Sequence, residues 1–181
     1  MIIKMTTNKD TETKIFNSTR NDLDFIIRRC TLEDLDSVIE INERELPEDY
    51  PYFFYKSILD SFPESFLIAQ NRNGQVIAYI MWRVEKSPSI HSLKYVNMGH
   101  LVSVAVSEGY RKKGIAQALL TSSMAAIKKH KIKQYVLEVR VSNYTAIRLY
   151  EKYNFKVESI KQNYYRDGEN AYYMTLDVKK S

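Results

Sequence analysis

The sequence predicts an α/β fold with a mixed sheet, and three observations carry that reading. Strand-like and helix-like runs alternate through the second half of the chain, which is how parallel neighbours are joined. Two β-rich runs flank Asn71-Arg72-Asn73-Gly74, a hairpin turn that makes other neighbours antiparallel. From His100 to Lys129 a strand, a short turn and a helix follow one another directly. The expected sheet has helices on both faces and is most parallel around 101–106 and 134–141.

The elements follow in order. Residues 1–22 are rich in Thr, Asn, Asp and Lys and are expected to form a flexible N-terminal arm, with one domain over 23–181. Asp24 to Arg29 reads as a strand. Thr31 with Asp34 three positions on resembles a capping box, Asp standing for the usual Glu or Gln, and Leu32, Leu35, Val38 and Ile39 give helical spacing. Pro47 and Pro51 break that helix into a loop followed by Tyr52, Phe53, Phe54 and Tyr55, some of which must pack on the core. Strands are expected over Phe66 to Gln70, Gln75 to Glu85, Leu101 to Val106, Gln134 to Val141, Phe155 to Ile160 and Ala171 to Val178. Ser87 to Tyr95 reads as a loop containing an exposed His91. A helix starts near Ile115, and a shorter one spans Asn143 to Tyr153. Tyr164 to Asn170 is a turn.

Composition narrows the classes. The chain has 181 residues, 44% hydrophobic and 27% charged, as in a soluble globular domain. No apolar run is long enough for a bilayer, and residues 1–20 lack a signal-peptide core, so a cytoplasmic protein without membrane partners is expected. Cys30 is the single cysteine and is expected as a small core residue; no Cys/His cluster suggests a metal. A net charge of +5 permits nucleic-acid binding without requiring it, because the positive residues are spread along the chain.

The densest cationic group, Arg111-Lys112-Lys113, precedes Gly114 at the start of a helix. Glycine allows close approach to the backbone, and the unpaired N–H groups of a first helical turn suit an anion. A phosphate-bearing ligand is the physical reading; a solvated basic helix end is the plain alternative. Gly-x-Gly-x-x-Gly and Gly-x-x-x-x-Gly-Lys-[Ser/Thr] are both absent.

Five blocks in order resemble one family. They are Leu46-Pro47-Glu48-x-Tyr50-Pro51, Gly99-His100-x-x-Ser103-x-Ala105-Val106, Tyr110-Arg111-x-x-Gly114-x-Ala116, the stretch from Leu137-Glu138-Val139-Arg140 through Asn143 and Tyr150 to Asn154-Phe155, and Tyr164-Tyr165-x-Asp167-Gly168-Glu169-x-Ala171-Tyr172. From about Leu23 onward the chain resembles the GNAT acetyltransferases, and within them the N-terminal amino-acid acetyltransferases of the RimI-like and NatA catalytic-subunit group, most of all the archaeal stand-alone members. Asp49 stands where the group usually has Asn, Arg166 replaces a small residue, and Asn170 replaces an acid; these departures bear on substrate preference.

The resemblance implies acetyl-CoA as cofactor. It places the pyrophosphate on the loop and helix start formed by Arg111, Lys112, Lys113, Gly114, Ile115, Ala116 and Gln117. It implies a bulge near Val104, Ala105 and Val106 that leaves N–H groups for the thioester oxygen, further cofactor contacts from Asn143, Tyr150 and Lys152, and Tyr150 as the acid beside the sulfur. Glu48, Tyr50, Glu138, Tyr164 and Tyr165 match positions that hold a substrate peptide. The packing alternatives for Tyr150, Tyr164 and Tyr165 stay open.

The chemistry needs a neutral amine. An α-amino group has a pKa of about 7.7–8.0 and a lysine about 10.4, so a mild base suffices for an N-terminus. His100 and Glu138 are the candidates, the latter because a carboxylate in an apolar strand must be paired or solvated. A strand-end structural histidine and a salt-bridged acid are their plain alternatives. The reading is acetyl transfer to the α-amino group of peptide or protein N-termini, with Ser, Ala and Met tolerated. The alternatives are an acetyltransferase of lysine or small amines and a non-catalytic module binding CoA or nucleic acid. Ribosome association and an auxiliary subunit stay open, and no specific nucleic acid is expected.

Overall fold

The computed structural model describes residues 3–7, 14–18, 24–88 and 95–178. Among them lie nine strands: β1 (Ile3–Thr7), β2 (Lys14–Ser18), β3 (Asp24–Arg29), β4 (Phe66–Asn71), β5 (Val76–Pro88), β6 (Tyr95–Val106), β7 (Gln134–Arg140), β8 (Lys156–Lys161) and β9 (Ala171–Asp177). The four α-helices are α1 (Leu35–Glu45), α2 (Tyr52–Ser61), α3 (Ile115–Ile127) and α4 (Tyr144–Lys152). The chain divides into two compact units, Met1–Trp82 with Ser103–Ile127, and Arg83–Val102 with Lys128–Ser181, so β5 and β6 each contribute to both.

In the first unit β1 to β5 pair antiparallel in chain order. The β4–β5 turn forms for the reason its sequence suggests: Gly74 takes φ +81°, and Asn71 Oδ1 accepts the N–H groups of Asn73 and Gln75 at 3.0 Å each. Phe66 to Ala69 and Ile77 to Trp82 are buried without alternation, as strands covered on both faces must be. α3 packs on β4, and Trp82 Nε1 donates to Ser123 Oγ of α3 at 2.8 Å.

The Thr31–Asp34 start forms the expected capping box, and Asp34 Oδ2 accepts from the Thr31 N–H at 2.8 Å and from its hydroxyl at 2.9 Å. A single 3₁₀ turn, Leu32–Asp34, precedes α1. Arg28 of β3 grips the same carboxylate through two bonds, 2.6 and 2.8 Å. The aromatic run after Pro51 is helical from Tyr52 on, with Pro51 at the N-cap, where its missing N–H is no loss. Cys30 is buried just beyond β3, and burial pushes its thiol up to about 12.

In the second unit Met98–Leu101 of β6 run parallel to Gln134–Leu137 of β7. β9 pairs antiparallel with β7 from Gln134↔Asp177 to Arg140↔Ala171, and β8 pairs with its other edge. Asn143 caps α4, its Oδ1 accepting the Ala146 N–H at 3.1 Å. The mixed α/β sheet is as expected, with parallel pairing at β6 and β7.

Several boundaries differ from the expectation. Residues 1–22, expected as a flexible arm, include β1 and β2, where the sequence predicts no strands. β6 begins at Tyr95 rather than Leu101, because Asn97 and Gly99 are poor strand formers held here by pairing. β5 runs on to Pro88, and His91 lies outside the described residues.

The Arg28–Asp34 pair makes a pH-dependent contribution. Burial alone would raise the Asp34 pKa; the bonds from Arg28 and Thr31 outweigh it and lower it. A depressed carboxylate stabilises above its unfolded pKa of about 3.9 and loses that contribution as pH falls through the folded value. Asp34→Ala is expected to lose about 2 kcal/mol at pH 7. The gap from the parent should close toward pH 2 when both are unfolded in urea.

Candidate active site

His100, Glu138 and their neighbours form an ionic cluster in the second unit. β6 presents His100, and β7 presents Glu138 on the same side as Arg140, two residues on. His100 Nε2 lies 2.6 Å from Glu138 Oε2, and Nδ1 lies 3.1 Å from Glu85 Oε1 of β5. Lys161 Nζ of β8 donates to Glu138 Oε1 and sits 4.6 Å from the centre of the Tyr173 ring. Arg83 closes the far end on Glu85 at 3.0 Å. The Glu138 side chain is only 7% exposed, so its charge depends on these partners.

A carboxylate at each ring nitrogen favours the imidazolium. Burial opposes the His100 charge, but the bond and charge of Glu138, reinforced by Glu85, raise its pKa. Burial likewise opposes ionised Glu138, and His100 and Lys161 outweigh it to lower that pKa. A raised histidine contributes stability below its unfolded pKa of about 6.5 and loses it as pH rises through the folded value.

Tyr150 lies in α4, buried and edge-on to Phe155 at 5.9 Å between ring centres. Burial pushes its phenol above the ordinary range, so it keeps a proton to donate at neutral pH. The buried ring against Phe155 fits the core-packing alternative as well, and the Tyr150 carbonyl accepts the N–H groups of Tyr153 and Phe155. Asn143 spends its side-chain oxygen on the α4 cap, and Lys152 is exposed at the helix end.

The candidate phosphate loop belongs to the first unit. Gly114 takes φ +83° and Lys112 φ +61°, and α3 starts at Ile115. The N–H groups of Ile115, Ala116 and Gln117 have no carbonyl one turn back within the helix. Lys113 Nζ reaches back to the Gly109 carbonyl at 3.0 Å, and Lys112 is exposed. Arg111 is engaged by the protein itself: Nε donates to the Val106 carbonyl at 3.1 Å, and the guanidinium pairs with Glu45. Glu45, last residue of α1, also accepts the Glu108 N–H at 3.2 Å, while Arg44 donates to Ser107 Oγ at 3.0 Å. The chain end of α1 thus holds the loop. A positive-φ glycine, a 13-residue helix start and three cations suit a pyrophosphate. On β6, Val104 and Val106 are half-buried and alternate with buried Ala105.

Glu48 and Tyr50 follow α1. Buried Asn42 donates to the Glu48 carbonyl at 2.6 Å, and its Oδ1 accepts from the Tyr79 hydroxyl, which also bonds Ser103 Oγ at 2.7 Å. Tyr50 stacks on Phe54 with ring centres 4.8 Å apart. In the second unit Arg140 fixes the Tyr164–Asn170 turn: it bonds Asp167 and Glu169 at 2.7 Å each and lies over the Tyr165 ring at 4.0 Å. Tyr164 and Tyr165 meet edge to face at 5.1 Å.

The structure joins His100 directly to Glu138, two residues the sequence offered as candidate bases without pairing them, and adds Glu85, Lys161, Glu45 and Arg140, which the sequence did not single out for a role. Glu85 ends one expected strand and Lys161 follows another, and a pairing between distant strands leaves no local signal. Among the described residues there is no cluster of metal-ligating side chains and no helix long and apolar enough to cross a membrane.

Known proteins resemble this chain over most of its length. Residues 34–155 match the acetyltransferase (GNAT) family. An N-alpha-acetyltransferase of Saccharolobus solfataricus is 47% identical over 154 residues, covering 83% of this chain and 92% of that protein. The N-terminal acetyltransferase A complex catalytic subunit NAA10 of Arabidopsis thaliana is 35% identical, over 84% of this chain and 78% of its own length. The crystal structure of Ard1 from Thermoplasma volcanium superposes with a TM-score of 0.73 at 29% identity, covering 86% of this chain and 99% of that one. With a family match over residues 34–155 and a relative 47% identical over 83% of its length, the chain belongs to the GNAT acetyltransferase family.

Proposed function

We propose that this protein transfers the acetyl group of acetyl-CoA to the α-amino group of protein N-termini. The observation that carries the reading is the 2.6 Å bond between His100 Nε2 and the nearly buried Glu138 carboxylate. A module that only bound CoA or nucleic acid would gain nothing from burying that acid. Between amines, the α-amino group fits a mild base: about a quarter or more is neutral near pH 7.5, against roughly one part in a thousand of a lysine. The named activity of the archaeal relatives points the same way.

The balance is simple. The amine nitrogen bonds to the carbonyl carbon, the carbon–sulfur bond breaks with its electron pair on sulfur, and the amine gives up one proton. When bound, acetyl-CoA supplies the activated thioester. The residues of this chain do the rest. The Gly114–Gln117 backbone with Lys112 and Lys113 would hold the pyrophosphate, with Arg111 steadied by Glu45. N–H groups of Val104, Ala105 and Val106 would face the carbonyl oxygen. Asn143 and Lys152 would add contacts from α4, and Tyr150 would give the sulfur a proton. The His100–Glu138 pair would take the amine's proton, through a water where needed. Glu48, Tyr50, Tyr164 and Tyr165 would line the peptide's first residues, with Ser, Ala and Met tolerated at position one. The reading extends to a cytoplasmic enzyme that meets nascent chains, with ribosome association as part of it.

The direct test is turnover of acetyl-CoA with peptides bearing free or blocked N-termini. Free Ser, Ala and Met N-termini are expected to react; equal rates on blocked peptides that carry a lysine would favour the lysine alternative. For the phosphate loop, Gly114→Glu forces a side chain and a negative charge onto a left-handed position. It should abolish CoA binding in calorimetry while the thermal melt stays cooperative.

For the base, His100→Ala and Glu138→Gln should each lower kcat/KM by about 10- to 1,000-fold. The double variant should lose less than the product of the two, since the residues act as one unit. Parent kcat/KM in the double variant would remove both from the reaction.

A further inference from the structure

We propose that Glu85 and Lys161 are positioning residues of opposite sign for the His100–Glu138 pair: Glu85 holds a proton on the imidazole, Lys161 holds the charge on Glu138, and together they match the pair to a substrate amine. The inference rests on the acetyltransferase reading and adds two residues that the five sequence blocks do not contain.

The geometry is a chain of alternating charge within one unit: Arg83, Glu85, His100, Glu138, Lys161. β5 supplies Arg83 and Glu85, β6 His100, β7 Glu138, and β8 Lys161. Tyr173 of β9 lies under the Lys161 ammonium, and burial together with the charges of Glu138, Glu85 and Glu158 raises its pKa. His100 has no ring nitrogen left over: one faces Glu85 at 3.1 Å, the other Glu138 at 2.6 Å. An imidazolium satisfies both carboxylates, whereas a neutral ring sets a lone pair against one of them. The resting pair therefore holds a proton that must leave before it can accept one from an ammonium.

The two outer residues push that equilibrium in opposite directions. Glu85 is an anion on the imidazole and favours the protonated ring. Lys161 is a cation beyond Glu138; it disfavours a second nearby positive charge and keeps Glu138 ionised. A proton affinity brought up toward that of an N-terminal amine suits general-base transfer, because donor and acceptor then differ little. In the reaction the ammonium gives one proton to the deprotonated pair, directly or through one water, and the pair returns it to solvent; the neutral nitrogen then bonds the carbonyl carbon and loses its second proton as the carbon–sulfur bond breaks, and that proton makes good the one Tyr150 gives the leaving sulfur.

The test measures the ring first and turnover second. Nitrogen-15 NMR titrates His100 in the free protein, in Glu85→Gln and in Lys161→Met, with His100→Ala assigning the signal. Gln keeps an acceptor for Nδ1–H, and Met keeps an aliphatic stem over Tyr173. Glu85→Gln should move the His100 midpoint down by about one pH unit. Lys161→Met should move it up. The acidic limb of kcat/KM should follow in the same directions, and the substrate's own titration cancels between variants. Melting curves establish that each variant is folded. Unmoved midpoints, shifts of the same sign in both variants, or a moved midpoint with an unmoved limb would overturn the proposal. A parent that acetylates no free N-terminus would instead defeat the acetyltransferase reading, and the NMR arm would still decide the roles of Glu85 and Lys161.

Discussion

A carboxylate taken out of water must be compensated, and in this protein Glu138 imposes that demand. Its side chain is 7% exposed in a strand whose preceding four residues are buried. Desolvating one ion loses several kcal/mol unless partners restore it. One oxygen meets His100 and the other Lys161. His100 in turn needs Glu85, and Glu85 takes Arg83. The charge sequence across β5, β6, β7 and β8 follows from one acid in the middle. The arrangement that makes Glu138 tolerable also leaves an acid–imidazole pair already assembled, which is what the proposed proton transfer requires.

The first unit solves a related problem with neutral groups. Asn42 is fully buried on α1, and its amide is satisfied by the Glu48 carbonyl and the Tyr79 hydroxyl. That bond fixes the start of the Leu46–Pro51 loop. Three residues on, Glu45 fixes the loop before α3 through Arg111 and the Glu108 N–H. One helix end thus orders both the segment read as peptide-binding and the segment read as phosphate-binding. A buried amide with every strong partner in place rigidifies its surroundings, which is what a binding loop requires.

Much of this was legible beforehand where local chemistry decides. The Asn71–Gly74 turn, the α3 start after Gly114 and the strand carrying Glu138 are all set by residues within a few positions of one another. Strand beginnings were harder. β6 contains Asn97 and Gly99, which argue against a strand until pairing with β7 overrides them. The aromatic run after Pro51 reads equally as loop or helix, and α2 forms because Tyr55, Ile58 and Leu59 find a core to enter.

By itself the sequence determined the order of elements from β3 onward apart from α2, the phosphate-suited loop, and His100 and Glu138 as candidate groups, since residue type and short-range spacing are enough for these. Tertiary structure alone decided who holds them. Arg111 turns to Glu45, 66 positions away, rather than standing free in the loop. Lys161 reaches Glu138 over 23 positions, and Arg140 reaches Glu169 over 29. A side chain's charge is written in the sequence, but which opposite charge meets it depends on strand register and on which face each residue takes, and both are fixed only when the sheet pairs.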